Sequence, residues 1–226
     1  VGNYHEVAVK ALKAGVDMDM VGETFFTQAK SAVEAGELKM EDVDRACRRV
    51  LEAKYRLGLF RDPYKFCRQD DVESKMYCEE HKAAARRISA ESYVLLKNED
   101  NLLPLERKGT IALIGPLADA ARNMPGTWCG AATLDKYSSL LEGMKDVAGG
   151  NVRILYAKGS NLTRDERLER NSTLFGKTLV RDSRSEREMI AEAVATARRA
   201  DVVVAALGES AEMSGECSCR SDITIP

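Results

Sequence analysis

Three short apolar runs in the second half of the chain, separated by helix-like segments, constrain the fold more than any other feature. The apolar runs cover residues 110–115, 152–157 and 202–207, and helical patterns cover 138–147 and 186–200. Strands that alternate with helices predict a parallel sheet with right-handed crossovers. The last run is apolar throughout and begins with three β-branched residues, Val202-Val203-Val204. We therefore expect its strand to be buried on both faces.

The loop after the third run, residues 208–216, carries three carboxylates, Glu209, Glu212 and Glu216, and is called the Glu loop below. Ligands of open parallel sheets bind beyond the carboxyl ends of the strands, which is where this loop lies. The three side chains are therefore candidates for acid/base chemistry. Residue type alone does not separate a catalytic carboxylate from a solvated one, and we expect at least two of the three to be solvated loop charges.

The first half of the chain is mainly helical by pattern. Helices are predicted over residues 4–14, 23–35, 40–55 and 73–90, and the alternating apolar and acidic residues 16–21 predict a strand. A boundary is expected at Pro63, which cannot continue a helix and biases Asp62 away from one. The chain begins with Val and ends just after the Glu loop, so we expect a piece of a larger protein.

Composition and missing motifs exclude several classes of function. The net charge of −2 gives no electrostatic reason to expect a nucleic-acid or membrane partner. Only Cys217 and Cys219 form a close pair among the six cysteines, and the chain has only two histidines. A zinc site is therefore disfavoured, and free thiols are expected.

The motifs of several enzyme classes are missing from the sequence. Gly115 is not followed by the further glycines of a dinucleotide-binding site, and neither a phosphate-binding loop nor the Gly-x-Ser-x-Gly motif of serine hydrolases is present. Carboxylate chemistry remains.

Seven segments, in this order, resemble glycoside hydrolase family 3. They are 11–20 (ALKAGVDMDM), 50–64 (VLEAKYRLGLFRDPY), 94–98 (VLLKN), 102–105 (LLPL), 111–119 (IALIGPLAD), 156–159 (YAKG) and 222–226 (DITIP). The resemblance implies an α/β fold, in which the closing portion of a (β/α)8-type barrel is followed by the first part of a mostly parallel α/β sandwich domain. It implies barrel residues at 1–61, a linker and entry helix at 62–101, and sandwich residues at 102–226.

The family hydrolyses β-linked glucosides, and sometimes xylosides, with retention of configuration. Retention requires one carboxylate as nucleophile and a second as acid/base. The resemblance places the nucleophile Asp outside this chain, so the chain alone is expected to be inactive. It implies that Glu216, within Ser214-Gly215-Glu216, is the acid/base, and that Arg220 is its charge partner or a loop anchor. Cys219 stands where the family usually has Asp.

The same resemblance implies that Met20 and Arg220 line the sugar site, and that Asp17 and Asp19 are structural or rim residues. The expected partner is a small oligosaccharide or β-glucoside, with no cofactor, no metal, no nucleic acid and no membrane. The implied location is periplasmic or extracellular, with a cytoplasmic location left open. A non-catalytic carbohydrate-binding or interaction module is the alternative function, and the oligomeric state stays open.

Overall fold

The computed structural model describes residues 2–130, 132–133, 136–165, 181–211, 213, 215 and 219–226. The chain divides into two compact units, Val1–Leu95 and Leu96–Pro226. The first unit contains helices, and the second contains a parallel sheet with helices. The α/β fold class that the sequence predicts is confirmed.

The first unit is built from five helices. They are α1 (Tyr4–Ala14), α2 (Thr24–Glu34), α3 (Met40–Arg56), α4 (Gln69–Lys75) and α5 (Glu79–Ser92). α1 begins at Asn3, whose side chain accepts a hydrogen bond from the N–H of Glu6, and ends at Gly15 in the left-handed conformation. The buried core of this unit consists of Val9, Leu12, Ala32, Leu38 and Ala46, which come from α1, α2, α3 and the turn before α3.

Two elements of the first unit differ from the sequence prediction. Residues 16–21 form no strand, because a strand needs a neighbour to bond with and no described strand of this unit supplies one. The predicted helix over 73–90 is two helices, α4 and α5. The break lies at Tyr77, whose φ of 57° is left-handed and cannot be accommodated within an α-helix.

The described residues of the second unit form a three-stranded parallel sheet. Its strands are β1 (Gly109–Ile114), β2 (Val152–Ala157) and β3 (Val202–Ala205), and their spatial order is β2-β1-β3. Ile111 of β1 is in register with Ile154 of β2 and with Val202 of β3. Leu113, the next-to-last residue of β1, is fully buried and packs with Ala118 and Leu141. The predicted parallel pairing is confirmed.

The prediction that the third strand is buried on both faces is wrong for this structure. In β3, Val203 is 50% exposed and Ala205 is also exposed. The strand order gives the reason, because β1 takes the middle of the described sheet and β3 lies at its edge. The doubly buried strand is therefore β1, in which both Ala112 and Leu113 have no exposed surface.

Among the described residues, two α-helices accompany the sheet, α6 (Leu140–Ala148) and α7 (Glu186–Ala197). Both begin with a reciprocal pair of hydrogen bonds between a serine and the glutamate three residues later, Ser139 with Glu142 and Ser185 with Glu188. The capping box at Ser185 is as the sequence predicts. None of the described helices combines the length and the apolar content that crossing a bilayer requires.

Candidate functional site

The carboxyl ends of the three strands open into loops on one edge of the second unit, because parallel strands end on the same side. Gly115 follows β1 with a φ of 131°, a conformation that other residues rarely adopt. A Cβ atom at this position would overlap with the backbone carbonyl of Ala206, next to the end of β3. The absence of a side chain at Gly115 thus lets the exits of β1 and β3 approach each other closely.

The loop that begins at Glu209 is held by contacts along its described residues. The N–H of Ala211 donates to Oδ1 of Asn123 over 2.9 Å. Ser210 and Met213 are 6% and 2% exposed, so this part of the loop turns its side chains inward. A Cβ atom at Gly215 would lie 2.8 Å from Cγ2 and from Oγ1 of Thr127. The segment that follows β1 therefore packs against the loop that follows β3.

Arg220 is the predicted site residue whose contacts are best defined. Its Nη1 lies 2.5 Å from Oε1 of Glu209, and its Nη2 donates to the carbonyl of Thr224 over 3.1 Å. The Arg220 side chain is 20% exposed. Asp222, two residues on, accepts a hydrogen bond from the N–H of Thr224, and this bond lowers the pKa of its carboxyl. Arg220 thus connects the start of the Glu loop with the segment that leaves it.

Of the other predicted site residues, Glu216 lies outside the described residues, as does Glu212. Met20 lies in the first unit and is 82% exposed. Asp17 pairs with Arg49 at 3.2 Å, and Asp19 accepts hydrogen bonds from the N–H groups of Thr24 and Phe25 at the start of α2.

The loop after β2 is closed by a polar network. Oδ1 of Asn161 accepts from the N–H of Asp182 over 2.8 Å, and its Nδ2 donates to the carbonyl of Asp182 over 2.9 Å. The guanidinium of Arg184 donates hydrogen bonds to the carboxylate of Asp182, and these bonds hold the pKa of that carboxyl well below its usual range. These residues and Arg220 line an open polar cleft of about 950 Å³.

Tyr156, at the end of β2, is partly buried beside this network. Burial raises the pKa of its hydroxyl, and the nearby carboxylate of Asp119 adds to the effect. A neutral phenol is therefore the form present at physiological pH. It can donate or accept a hydrogen bond, but it is not a base.

Sequence reasoning missed two site residues, and both lie in the segment that follows β1. Asn123 and Thr127 hold the Glu loop, and no motif marks either of them. Trp128, which follows Thr127, is 67% exposed and is the only tryptophan of the chain. A single tryptophan is a signal that the sequence offers, because aromatic side chains are frequent in the walls of ligand sites.

No group of three or more His, Cys, Asp or Glu side chains that could hold a metal ion occurs in the part of the chain that the structure describes. The five described cysteines are free thiols: Cys47, Cys67, Cys78, Cys129 and Cys219.

Residues 1–53 match the glycosyl hydrolase family 3 N-terminal domain, and residues 93–226 match its C-terminal domain. A periplasmic β-glucosidase of Salmonella typhimurium is 42% identical over 96% of the chain, which covers 29% of that protein. A β-xylosidase of Formosa agariphila is 34% identical over 99% of the chain and 30% of its own length.

Solved structures give the same result. The β-glucosidase of Listeria innocua in complex with glucose matches 99% of this chain and 27% of its own chain, with a TM-score of 0.75 and 29% identity. A mutant of the Listeria innocua enzyme in complex with laminaribiose matches with a TM-score of 0.70 and 28% identity. The chain spans less than a third of the length of these relatives. Matches to both domains of one family, over most of the sequence, show that the chain belongs to glycosyl hydrolase family 3.

Proposed function

We propose that this chain acts within a retaining, exo-acting β-glucosidase that removes terminal β-linked glucosyl residues from oligosaccharides or aryl glucosides. The observation that carries the proposal is the position of the Glu loop, at the carboxyl edge of a parallel sheet in a chain of this family. The similarity to a periplasmic β-glucosidase and to a β-glucosidase that holds glucose favours a glucoside over other sugars. It also supports a periplasmic or extracellular location.

The domain organisation that we propose follows the sequence resemblance. Residues 1–61 close a (β/α)8-type barrel, residues 62–101 form a linker and entry helix, and residues 102–226 begin an α/β sandwich domain. The family matches at 1–53 and 93–226 support this organisation. The nucleophile Asp belongs to protein outside this chain, and the 226 residues alone are inactive.

Glu216 is the proposed acid/base. In the first step its carboxylic acid gives a proton to the glycosidic oxygen while the nucleophile carboxylate bonds to the anomeric carbon and the leaving group departs. In the second step its carboxylate takes a proton from water, whose oxygen replaces the nucleophile on the anomeric carbon. Glu216 follows Gly215, which packs against Thr127 in the segment after β1, and this contact supports the assignment.

Met20, in the first unit, and Arg220 and Trp128, in the second, are each proposed separately as a sugar contact. Met20 supplies an apolar surface, Arg220 supplies N–H donors for hydroxyl groups, and Trp128 supplies an exposed aromatic face. The side-chain types fit a carbohydrate, which presents both C–H faces and hydroxyl groups. No cofactor takes part in this chemistry.

The test uses the protein expressed from its complete reading frame. Glu216→Ala should lower kcat/KM for phenyl β-glucoside by about 10²–10⁴-fold, the usual contribution of a general acid/base. A substrate with a good leaving group, such as 2,4-dinitrophenyl β-glucoside, should be affected less in the glycosylation step. Azide should then increase turnover by displacing the nucleophile and releasing β-glucosyl azide.

Glu212→Ala is the matched control, because it removes another carboxylate from the same loop. This variant should still turn over both substrates without added azide. The assignment of Glu216 is wrong if Glu212→Ala, and not Glu216→Ala, shows the leaving-group dependence and the azide rescue. Binding of glucose without turnover of any β-glucoside by the wild-type protein would instead favour a carbohydrate-binding module.

A further inference from the structure

The loop that leads into α2, residues 20–23, has a strained backbone and is called the α2 entry loop below. Val21 has a φ of 70° and Glu23 has a φ of 54°, both in the left-handed region. For a β-branched residue such as valine this conformation is an outlier. Strain of this kind persists only where the surrounding structure holds the backbone in place, and it clusters at functional sites.

One carboxylate holds the α2 entry loop. Oδ2 of Asp19 accepts hydrogen bonds from the N–H groups of Thr24 and Phe25, over 2.5 and 3.3 Å. Both donors belong to the first turn of α2, which receives no hydrogen bond from the side chain of its N-cap residue, Glu23. Asp19 therefore connects the residue before the loop with the residues after it.

Gly22 allows this carboxylate to lie directly against the loop. A Cβ atom at Gly22 would be 2.6 Å from Oδ1 of Asp19 and 3.1 Å from its Oδ2. The hydroxyl of Thr24 donates to the carbonyl of Gly22 over 3.3 Å, and Thr24 is 8% exposed. The base of the loop is thus closely packed, so the loss of the Asp19 carboxylate removes the support of the backbone at residues 20–23.

Two apolar side chains stand at the start of the α2 entry loop. Met20 is 82% exposed and Val21 is 90% exposed. Residues 16–21 have the sequence pattern of a strand and precede α2, and in a (β/α)8-type barrel the loops from each strand to the next helix form the active-site face. An apolar pair on an anchored loop of this kind suits the C–H face of a sugar ring.

We propose that Asp19 is a positioning residue, whose two hydrogen bonds fix the α2 entry loop so that Met20 and Val21 contact the glucosyl unit of the substrate. This inference rests on the proposed function, in which Met20 is a sugar contact. An apolar contact of this kind is made with the bound substrate and with the transition state alike, so its loss raises KM and leaves kcat nearly unchanged. Asp19 acts through the loop, and its carboxylate does not touch the sugar.

The experiment measures kcat and KM for phenyl β-glucoside, and the inhibition constant of glucose, in the complete enzyme. Asp19→Ala removes the acceptor and should raise both KM and the inhibition constant about 10-fold, the effect of losing a small apolar contact. Asp19→Asn can accept both hydrogen bonds through its one carbonyl oxygen, as Oδ2 does, and should stay within about 2-fold of the wild-type KM.

Met20→Ala removes the proposed contact itself and should raise KM by a similar factor of about 10. Because Asp19 acts through this contact, the double variant should fall well short of the product of the two single effects. If Asp19→Ala fails to fold in a urea titration, Gly22→Ala takes its place, because the added Cβ atom displaces the Asp19 carboxylate without removing it.

Asn3→Ala is the matched control. The side chain of Asn3 accepts a hydrogen bond from the N–H of Glu6 at the start of α1, so this variant removes a helix cap of the same unit and leaves the α2 entry loop unchanged. It should lower the stability in urea, as Asp19→Ala does, but keep the wild-type KM.

The possible results separate this inference from the proposed function. A wild-type KM for Asp19→Ala beside a raised KM for Met20→Ala would overturn the positioning role alone. An Asp19→Asn variant as impaired as Asp19→Ala would also overturn it, because the charge and not the hydrogen bonds would be the cause. A raised KM with an unchanged inhibition constant of glucose would place the contact outside the glucosyl unit. A wild-type KM for Met20→Ala would remove the proposed sugar contact, and the positioning role with it.

Discussion

The glycine at the exit of β1 provides the sharpest test of the fold. Gly115 has a φ of 131°, and a Cβ atom there would overlap with the carbonyl oxygen and carbon of Ala206. Gly115→Ala adds this atom to a backbone position that cannot move without displacing the exit of β3. Gly150→Ala is the matched control, because a Cβ atom at Gly150 would meet nothing within 4 Å.

The size of the effect follows from two contributions. The disfavoured backbone conformation costs about 2 kcal/mol, and displacing the neighbouring backbone costs about another 2 kcal/mol. The free energy of unfolding should therefore fall by about 4 kcal/mol for Gly115→Ala. At Gly150 the same substitution should change it by less than about 1 kcal/mol, and in the stabilising direction if the backbone there suits alanine.

The assay is equilibrium urea unfolding of the chain, followed by the fluorescence of Trp128, which lies in the second unit and is the only tryptophan. With a slope of about 2 kcal/mol per molar urea, Gly115→Ala should lower the midpoint by about 2 M. Gly150→Ala should leave it within about 0.5 M of the wild-type value. Equal midpoints for the two variants would refute the close approach of β1 and β3 at this point.

Two further predictions concern the second unit. Leu113→Ala, which removes a fully buried side chain of the middle strand β1, should lower the free energy of unfolding by about 3 kcal/mol in the same urea assay. Val203→Ala, at a half-exposed position of the edge strand β3, should lower it by about 1 kcal/mol or less, and similar values for the two variants would contradict the strand order. The pKa of Glu188 is held below its usual value of 4.5 by its hydrogen bonds to Ser185, so the stabilisation it provides is complete above that pH and is lost as the pH falls through the lowered pKa. The urea midpoint should therefore decrease on acidification below about pH 4.5, and Ser185→Ala should make this decrease less steep; an unchanged slope would argue against the capping interaction.

Several features of this protein are determined locally, and the sequence was sufficient to predict them. The capping box at Ser185, the end of α1 at Gly15 and the three parallel strands follow from side-chain types and spacing over a few residues. The resemblance in seven segments likewise gave the family. The same resemblance selects Glu216 from the three loop carboxylates, and its role stays a prediction.

The tertiary structure decided what depends on neighbours distant in the sequence. The strand order made β1, and not β3, the doubly buried strand, and the lack of a described partner left residues 16–21 outside any sheet. The partners of the Glu loop were also beyond sequence reasoning, because Asn123 and Ala211 are 88 positions apart. Hydrophobic pattern specifies which residues of a strand are apolar, but burial, pairing and loop attachment are properties of the surroundings that the folded chain supplies.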